Sequence, residues 1–164
     1  MLEQELELAK ISAWANKKFR DSLKESFNDL KDVTTPYGSF LELIYHFFSA
    51  TYFWLRRIGY ADYTIRSAKD LTNVNNLFSQ WEVIDQKLIE FVELMQSENK
   101  SATHSFKYTT SKGLELEITF HILILQLFNH GYYHRGQIAY IVRMNNKSPM
   151  PQTDSLVYFR ESSQ

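Results

Sequence analysis

From about Thr119 to Asn145 the chain reads as one long helix crowded with Ile, Leu, Phe and Tyr, and everything else must be arranged around it. At its centre lies Phe128-Asn129-His130-Gly131-Tyr132-Tyr133-His134-Arg135-Gly136-Gln137-Ile138. Four residues turn an α-helix by about 400°, so His130 and His134 project from one face, one turn apart. Two imidazoles placed this way form half of a common metal site. Extending the same face gives Gln126 and Gln137, a polar line on an otherwise apolar helix. Buried polar groups must be paired or must bind something.

A helix this apolar needs other helices against it, and the preceding chain offers three. From Glu3 to about Asn28, Leu8, Ile11, Ala15, Phe19, Leu23 and Phe27 recur at spacings of three and four. Asn16 borders that stripe and would need a partner if it faces inward. Lys31–Gly38 contains Pro36 and Gly38 and cannot continue a helix; its length suits a crossover better than a tight turn. Ser39 and Glu42 then form a capping box ahead of a helix running to about Arg57. Phe40, Ile44, Phe47, Thr51, Leu55 and Ile58 make one stripe on it, and Leu43, His46, Ala50 and Phe53 a second. Two apolar faces predict burial on most of the circumference, with His46 directed into protein. Tyr60–Asp70 is irregular. A third helix is expected from about Thr72 to Glu98, with Leu77, Trp81, Ile84, Leu88, Val92 (or Phe91) and Met95 as its stripe and Glu82, Asp85, Gln86, Glu90 and Glu93 off it.

The period then changes. Phe106, Tyr108 and Thr110 alternate with polar residues, as do Leu114, Leu116 and Ile118 after Ser111-Lys112-Gly113, which predicts a β-hairpin. The tail, Asp154–Glu161, is apolar enough to pack back on the helices. The fold class that follows is all-α: four helices around one core with a small β-hairpin before the last. A chain of 164 residues suits a single domain, 1–164.

Composition removes several function classes. The formal charge is −1, without the basic face that nucleic-acid binding needs. No cysteine is present, so disulfides, thiolate metal sites and a cysteine nucleophile are excluded. The apolar runs are too short to span a bilayer and the start is acidic and polar, so the expected location is the cytoplasm.

His46 is the natural third ligand, because bundle metal sites are built from side chains on facing helices. Its bland reading, a hydrogen-bonded core histidine, stands beside that one. Three neutral imidazoles would leave coordination positions open, as in catalytic sites. Position 131 is Gly, so the His-Glu-x-x-His of metalloproteases is not present, and no Glu-x-x-His pair marks a di-iron bundle. His121 lies about 180° round the helix from His130 and cannot share its site. His104 is expected at the surface. Arg135 is turned about 100° from His134, which suggests a structural ion pair or helix contact. Gly131 and Gly136 each weaken a helix by roughly 1 kcal/mol relative to Ala, so each suggests a close approach or room for a ligand. Glu42 could orient His46 or act as a base, although the cap already accounts for it.

These residues resemble a known family. Asn129-His130-Gly131-Tyr132-Tyr133-His134-Arg135-Gly136-Gln137-Ile138 is similar to the Asn-His-x-x-x-His-Arg-Gly-Gln-Ile signature of the DinB (damage-inducible) family. The likeness includes Trp14-Ala15-Asn16, His46 with Trp54, the hairpin and the Asp154–Glu161 tail. It implies an up-down-down-up four-helix bundle, a divalent metal (zinc, nickel or iron) on His46, His130 and His134, and a homodimer. It also implies kinship with bacillithiol- and mycothiol-dependent transferases and with metal-dependent hydrolases. The expected function is therefore a metal-binding enzyme that activates a low-molecular-weight thiol or water toward a small-molecule substrate, with a bacillithiol-like thiol as cofactor. The alternatives are a non-catalytic metal-binding or stress-response dimer and a metal-free bundle with structural histidines.

Overall fold

A computed structural model of the chain describes residues 2–71 and 73–163. In chain order the elements are α1 (Glu3–Leu23), α2 (Phe27–Leu30), β1 (Thr34–Thr35), β2 (Gly38–Ser39), α3 (Phe40–Arg57), a 3₁₀ turn (Ala68–Asp70), α4 (Val74–Ser97), β3 (Ser105–Thr109), β4 (Glu115–Thr119), α5 (Phe120–Met144) and α6 (Ser155–Ser162). The protein is mostly helical, with two small antiparallel hairpins among the described residues. Among those residues no helix is long and apolar enough to cross a membrane. Consecutive helices α1 and α3 each pack chiefly on α4 and α5, so the connection between them is a crossover, as its length suggests.

The structure departs from the sequence reading in the first helix and in the crossover. The first helix stops at Leu23 rather than near Asn28. Leu23 and Phe27 keep the helical spacing, but a turn at Lys24–Ser26 redirects the chain into α2, where Phe27 and Leu30 are both fully buried. Burial here overrides the local period. The expected start at Thr72 lies outside the described residues, and α4 opens at Val74 behind Asn73, whose side chain accepts from Asn75 N at 2.8 Å. The crossover also holds a hairpin of its own, with Thr34 opposite Ser39 and Thr35 opposite Gly38. The signal for it was Thr35-Pro36-Tyr37-Gly38, since Pro at the second and Gly at the fourth turn position favour a tight turn.

Other local expectations hold. Ser39 Oγ accepts from Glu42 N and Glu42 Oε2 accepts from Ser39 N, at 3.2 and 2.7 Å. The second hairpin pairs Phe106 with Ile118 and Tyr108 with Leu116. Phe106 fixes it to the helices through Phe91 and Tyr60, with ring centroids 5.9 and 5.8 Å away. The tail folds back as α6, where Glu161 accepts from Trp14 Nε1 and Lys18 Nζ at 3.1 and 2.7 Å and Tyr158 meets the Trp14 ring.

The core falls into two apolar clusters. One gathers Phe19, Leu23, Phe27, Phe47, Phe48, Trp81, Ile84, Ile138 and Val142; the other gathers Leu2, Ala9, Leu88, Phe91, Met95, Phe106, Phe120 and Leu127. On α1, α4 and α5 a polar layer separates them. Asn16, buried as suspected, donates from Nδ2 to Asp85 Oδ1 at 2.7 Å and accepts from Arg135 at 2.9 Å. Arg20 pairs with Asp85 on the other side and lies over the Trp81 ring. Asp85, expected off the apolar stripe, thus turns inward, its side chain only 12% exposed. This layer ties the centre of α5 to α1 and α4.

Candidate metal centre

Helix α5 presents His130 and His134 as their spacing requires, and α3 brings His46 against them. The ring centroids of His130 and His134 are 4.3 Å apart, and His46 lies 4.9 Å from His134 and 5.4 Å from His130. One ring nitrogen from each of the three lies within 4.8 Å of the other two. Among the described residues no Asp, Glu or fourth His joins this group.

The three differ in burial. His134 is buried, His130 half-buried and His46 exposed. The expectation that His46 points into protein is therefore corrected. The second stripe of α3 is buried only at Leu43, since Phe53 is exposed and Ala50 only partly covered. His46 lies against His130 and His134 of α5, roofed by Tyr37. The Tyr37 ring stacks on His46 at 4.6 Å and meets His134 edge-on at 5.3 Å. Phe47 lies beneath the pair on α5, 6.1 Å from His134 and 6.5 Å from His130. Tyr37 was not singled out from the sequence; only folding of the Thr34–Ser39 hairpin carries it there.

Gln137 accepts from His134 Nδ1 at 2.8 Å and donates from Nε2 to Tyr133 Oη at 3.1 Å. An amide oxygen can only accept, so Nδ1 holds the proton and Nε2 keeps its lone pair. A hydrogen bond of this kind fixes the tautomer and orientation of metal-ligating histidines. Gln126, at the other end of the polar line, is exposed.

Burial pushes all three imidazoles below their ordinary value of 6.5. His130 falls to about 4, with His134 and His46 adding to the effect of burial. His46, exposed at one edge but stacked under Tyr37, is lowered by this partial loss of solvation alone. At His134 burial outweighs the Gln137 hydrogen bond, which acts the other way. All three are thus neutral lone-pair donors at neutral pH, the form a metal requires. Protons compete with the ion only below the lowered values. Affinity for zinc is therefore expected to fall less than about fifteenfold between pH 7.5 and 6, since His130 no longer titrates there and the other two titrate below 6.5. Three ordinary imidazoles would lose roughly fiftyfold over that interval. Chelator competition at a series of pH values measures this, and a fiftyfold loss would show that the histidines titrate as if solvated.

The remaining candidates lie elsewhere. Glu42 is held in the capping box, whose bonds from Ser39 keep its carboxyl below the usual range, so it does not orient His46. His121 hydrogen-bonds the buried Glu5 at 2.8 Å, and His104 packs edge-on against Phe106. Arg135 is buried and belongs to the polar layer, as the reading of a helix contact implied. The two glycines separate. A Cβ at Gly131 would lie 3.1 Å from an Arg135 nitrogen, 3.5 Å from Phe47 and 3.6 Å from Ser12, so this glycine permits a close approach. A Cβ at Gly136 would meet nothing within 4 Å.

Fold and site together define a mostly helical protein with a three-histidine cluster, shared by two helices, that could hold a metal ion. The DinB family model matches residues 1–159, and the chain belongs to that family. No curated protein matches it.

Proposed function

We propose that His46, His130 and His134 bind one divalent metal ion and that the protein is a metal-dependent enzyme of thiol S-transferase or hydrolase type. The observation that carries this reading is a cluster of three neutral imidazoles with no fourth ligand from the described residues and with its His46 edge open to solvent. A closed structural site would satisfy the ion with four protein ligands. Zinc, nickel and iron all suit imidazole.

When bound, the ion supplies Lewis acidity that lowers the pKa of a thiol or water beside it. The chain's own residues prepare the place. Gln137 holds His134 in the tautomer with Nε2 free, Tyr37 restricts the His46 ring by stacking, and Phe47 keeps the floor dry. In the transferase form the thiol proton passes to solvent, sulfur bonds to the electrophilic carbon, and the leaving group departs with its electron pair. The chain has no cysteine, so sulfur comes from a bacillithiol-like cofactor.

The same reading takes the chain as a single cytoplasmic domain, 1–164, that acts as a homodimer on a small molecule, without nucleic acid or membrane. It takes the four long helices as an up-down-down-up bundle, supported by the packing of α1 and α3 each on α4 and α5. The test is to load the protein with zinc, nickel or iron and offer low-molecular-weight thiols with aryl halides or epoxides, and esters with water. Metal-dependent turnover that chelation abolishes is expected. Failure of every loaded form to accelerate any of these reactions would leave a metal-binding protein without catalysis.

A further inference from the structure

A cleft of about 560 Å³ lies beside the histidines, between the Thr34–Tyr37 segment and one face of α5. Its size falls within the roughly 300–1,000 Å³ of ordinary small-molecule sites. Tyr37, Tyr133 and Gln137 line it and also touch the histidines or their partner, so the cleft and the histidine cluster share a wall. The rest of the lining includes Pro36, Leu43, Tyr140 and Ile141. Among the described residues no Lys, Arg, His, Asp or Glu lines it.

Its polar side chains are largely committed already. The Gln137 amide is engaged by His134 and Tyr133, and Thr35 Oγ1 accepts from Tyr37 N and donates to Ser39 O. A charged group entering here would lose hydration and find no countercharge. Tyr133 and Tyr140 are 61% and 65% exposed, so a flat apolar ligand would cover aromatic surface that is now wet. Gly136 completes the wall, and the space beyond its Cα is open. A glycine inside a helix costs roughly 1 kcal/mol relative to Ala. No packing contact at Gly136 accounts for that cost, whereas room for a ligand does.

We infer that this cleft binds an uncharged, predominantly apolar ring-sized group of the substrate and holds it next to the three histidines. That this group lies beside a reactive metal rests on the metal-centre reading; that the cleft prefers neutral apolar ligands does not.

The test uses 2-naphthol, neutral at pH 7, and 2-naphthalenesulfonate, an anion of the same ring system, titrated into zinc-treated protein and into Gly136→Leu. The wild type is expected to bind 2-naphthol and to bind the sulfonate at least tenfold more weakly. Gly136→Leu, whose side chain enters the cleft, should weaken 2-naphthol at least tenfold while its zinc content equals that of the wild type. Circular dichroism melting checks that the variant folds, and Tyr140→Asp, on an exposed position, provides a second block of the same cleft. Equal affinity for naphthol and sulfonate, no binding of naphthol, or indifference to both substitutions would overturn the inference. Naphthol binding with this selectivity in a protein that takes up no zinc would support the cleft while removing the metal-centre reading. Zinc uptake without naphthol binding would do the reverse.

Discussion

Replacing His134 by alanine is expected to lower the affinity for a divalent metal more than a hundredfold. Structural zinc sites with four ligands are worth roughly 10–16 kcal/mol, or about 3 kcal/mol per ligand. His134 is the most buried of the three and the one whose tautomer is fixed, by Gln137, so its loss should be felt in full. His130→Ala should behave similarly. His46→Ala should cost less, because an exposed imidazole is replaced by water more easily. Gln137→Ala, which only frees the His134 ring, should cost about 10–100-fold. Elemental analysis of purified protein, with chelator competition for affinity, separates these cases. Added zinc should also raise the melting temperature of the wild type and leave His134→Ala unmoved, since a ligand stabilises only the state it binds. Wild-type metal content in His134→Ala would place the metal elsewhere.

The largest effect on stability is expected at Asp85. Arg20 and Arg135 are 6% and 2% exposed, and Asp85 is the carboxylate that pairs directly with Arg20 and faces Arg135 across Asn16. The layer therefore carries two buried cations and one anion. Burial pushes the Asp85 carboxyl up to about 6, against the pull of Arg20, the Asn16 amide and Arg135, so it is ionised at neutral pH. Burial also brings Arg135 down to about 10, which leaves it charged. Asp85→Ala removes the acceptor of both Arg20 and Asn16 and leaves two guanidinium groups without a countercharge. Breaking a buried pair in this way costs about 3–5 kcal/mol. In a domain of this size that is roughly 10 °C in melting temperature. Arg135→Met should cost far less, because it removes the excess cation, whose Nε and Nη2 have no hydrogen-bond partner among the described residues. Thermal and urea melts at pH 7 compare the two variants, and equal losses would show that the layer does not act through its charge balance.

The two linkages in this protein run in opposite senses with pH. The folded His130 binds its proton more weakly than an unfolded histidine, so its contribution to metal-free stability is full above 6.5 and is lost as pH falls toward 4. The folded Asp85 binds its proton more tightly than an unfolded carboxyl, so its contribution is full below 3.8 and declines as pH rises toward 6. The windows overlap, and a wild-type pH profile of stability mixes them. The pH dependence of metal affinity reads the histidines alone.

What the chain declares locally was legible from its residues. His130 and His134 share a face because four residues close a helical turn, and the Ser39–Glu42 cap, the Ser105–Thr119 hairpin and most of the helix ends also depend on partners within a few positions or on a repeating period. The His130–Gln137 motif also identified the family. What no local pattern could state is which helix lies opposite which. That decides whether His46 is covered or open, turns Asp85 from the polar side of α4 toward Arg20, and brings Tyr37 over the histidines. It also makes Gly131 a close approach and Gly136 the wall of a cleft, although the two are alike as letters. The side-chain pairs of the polar layer join residues 65 to 119 positions apart, as in Arg20–Asp85 and Arg135–Asn16. Their cost is closure of the chain and loss of hydration, and both are settled only when whole helices pack.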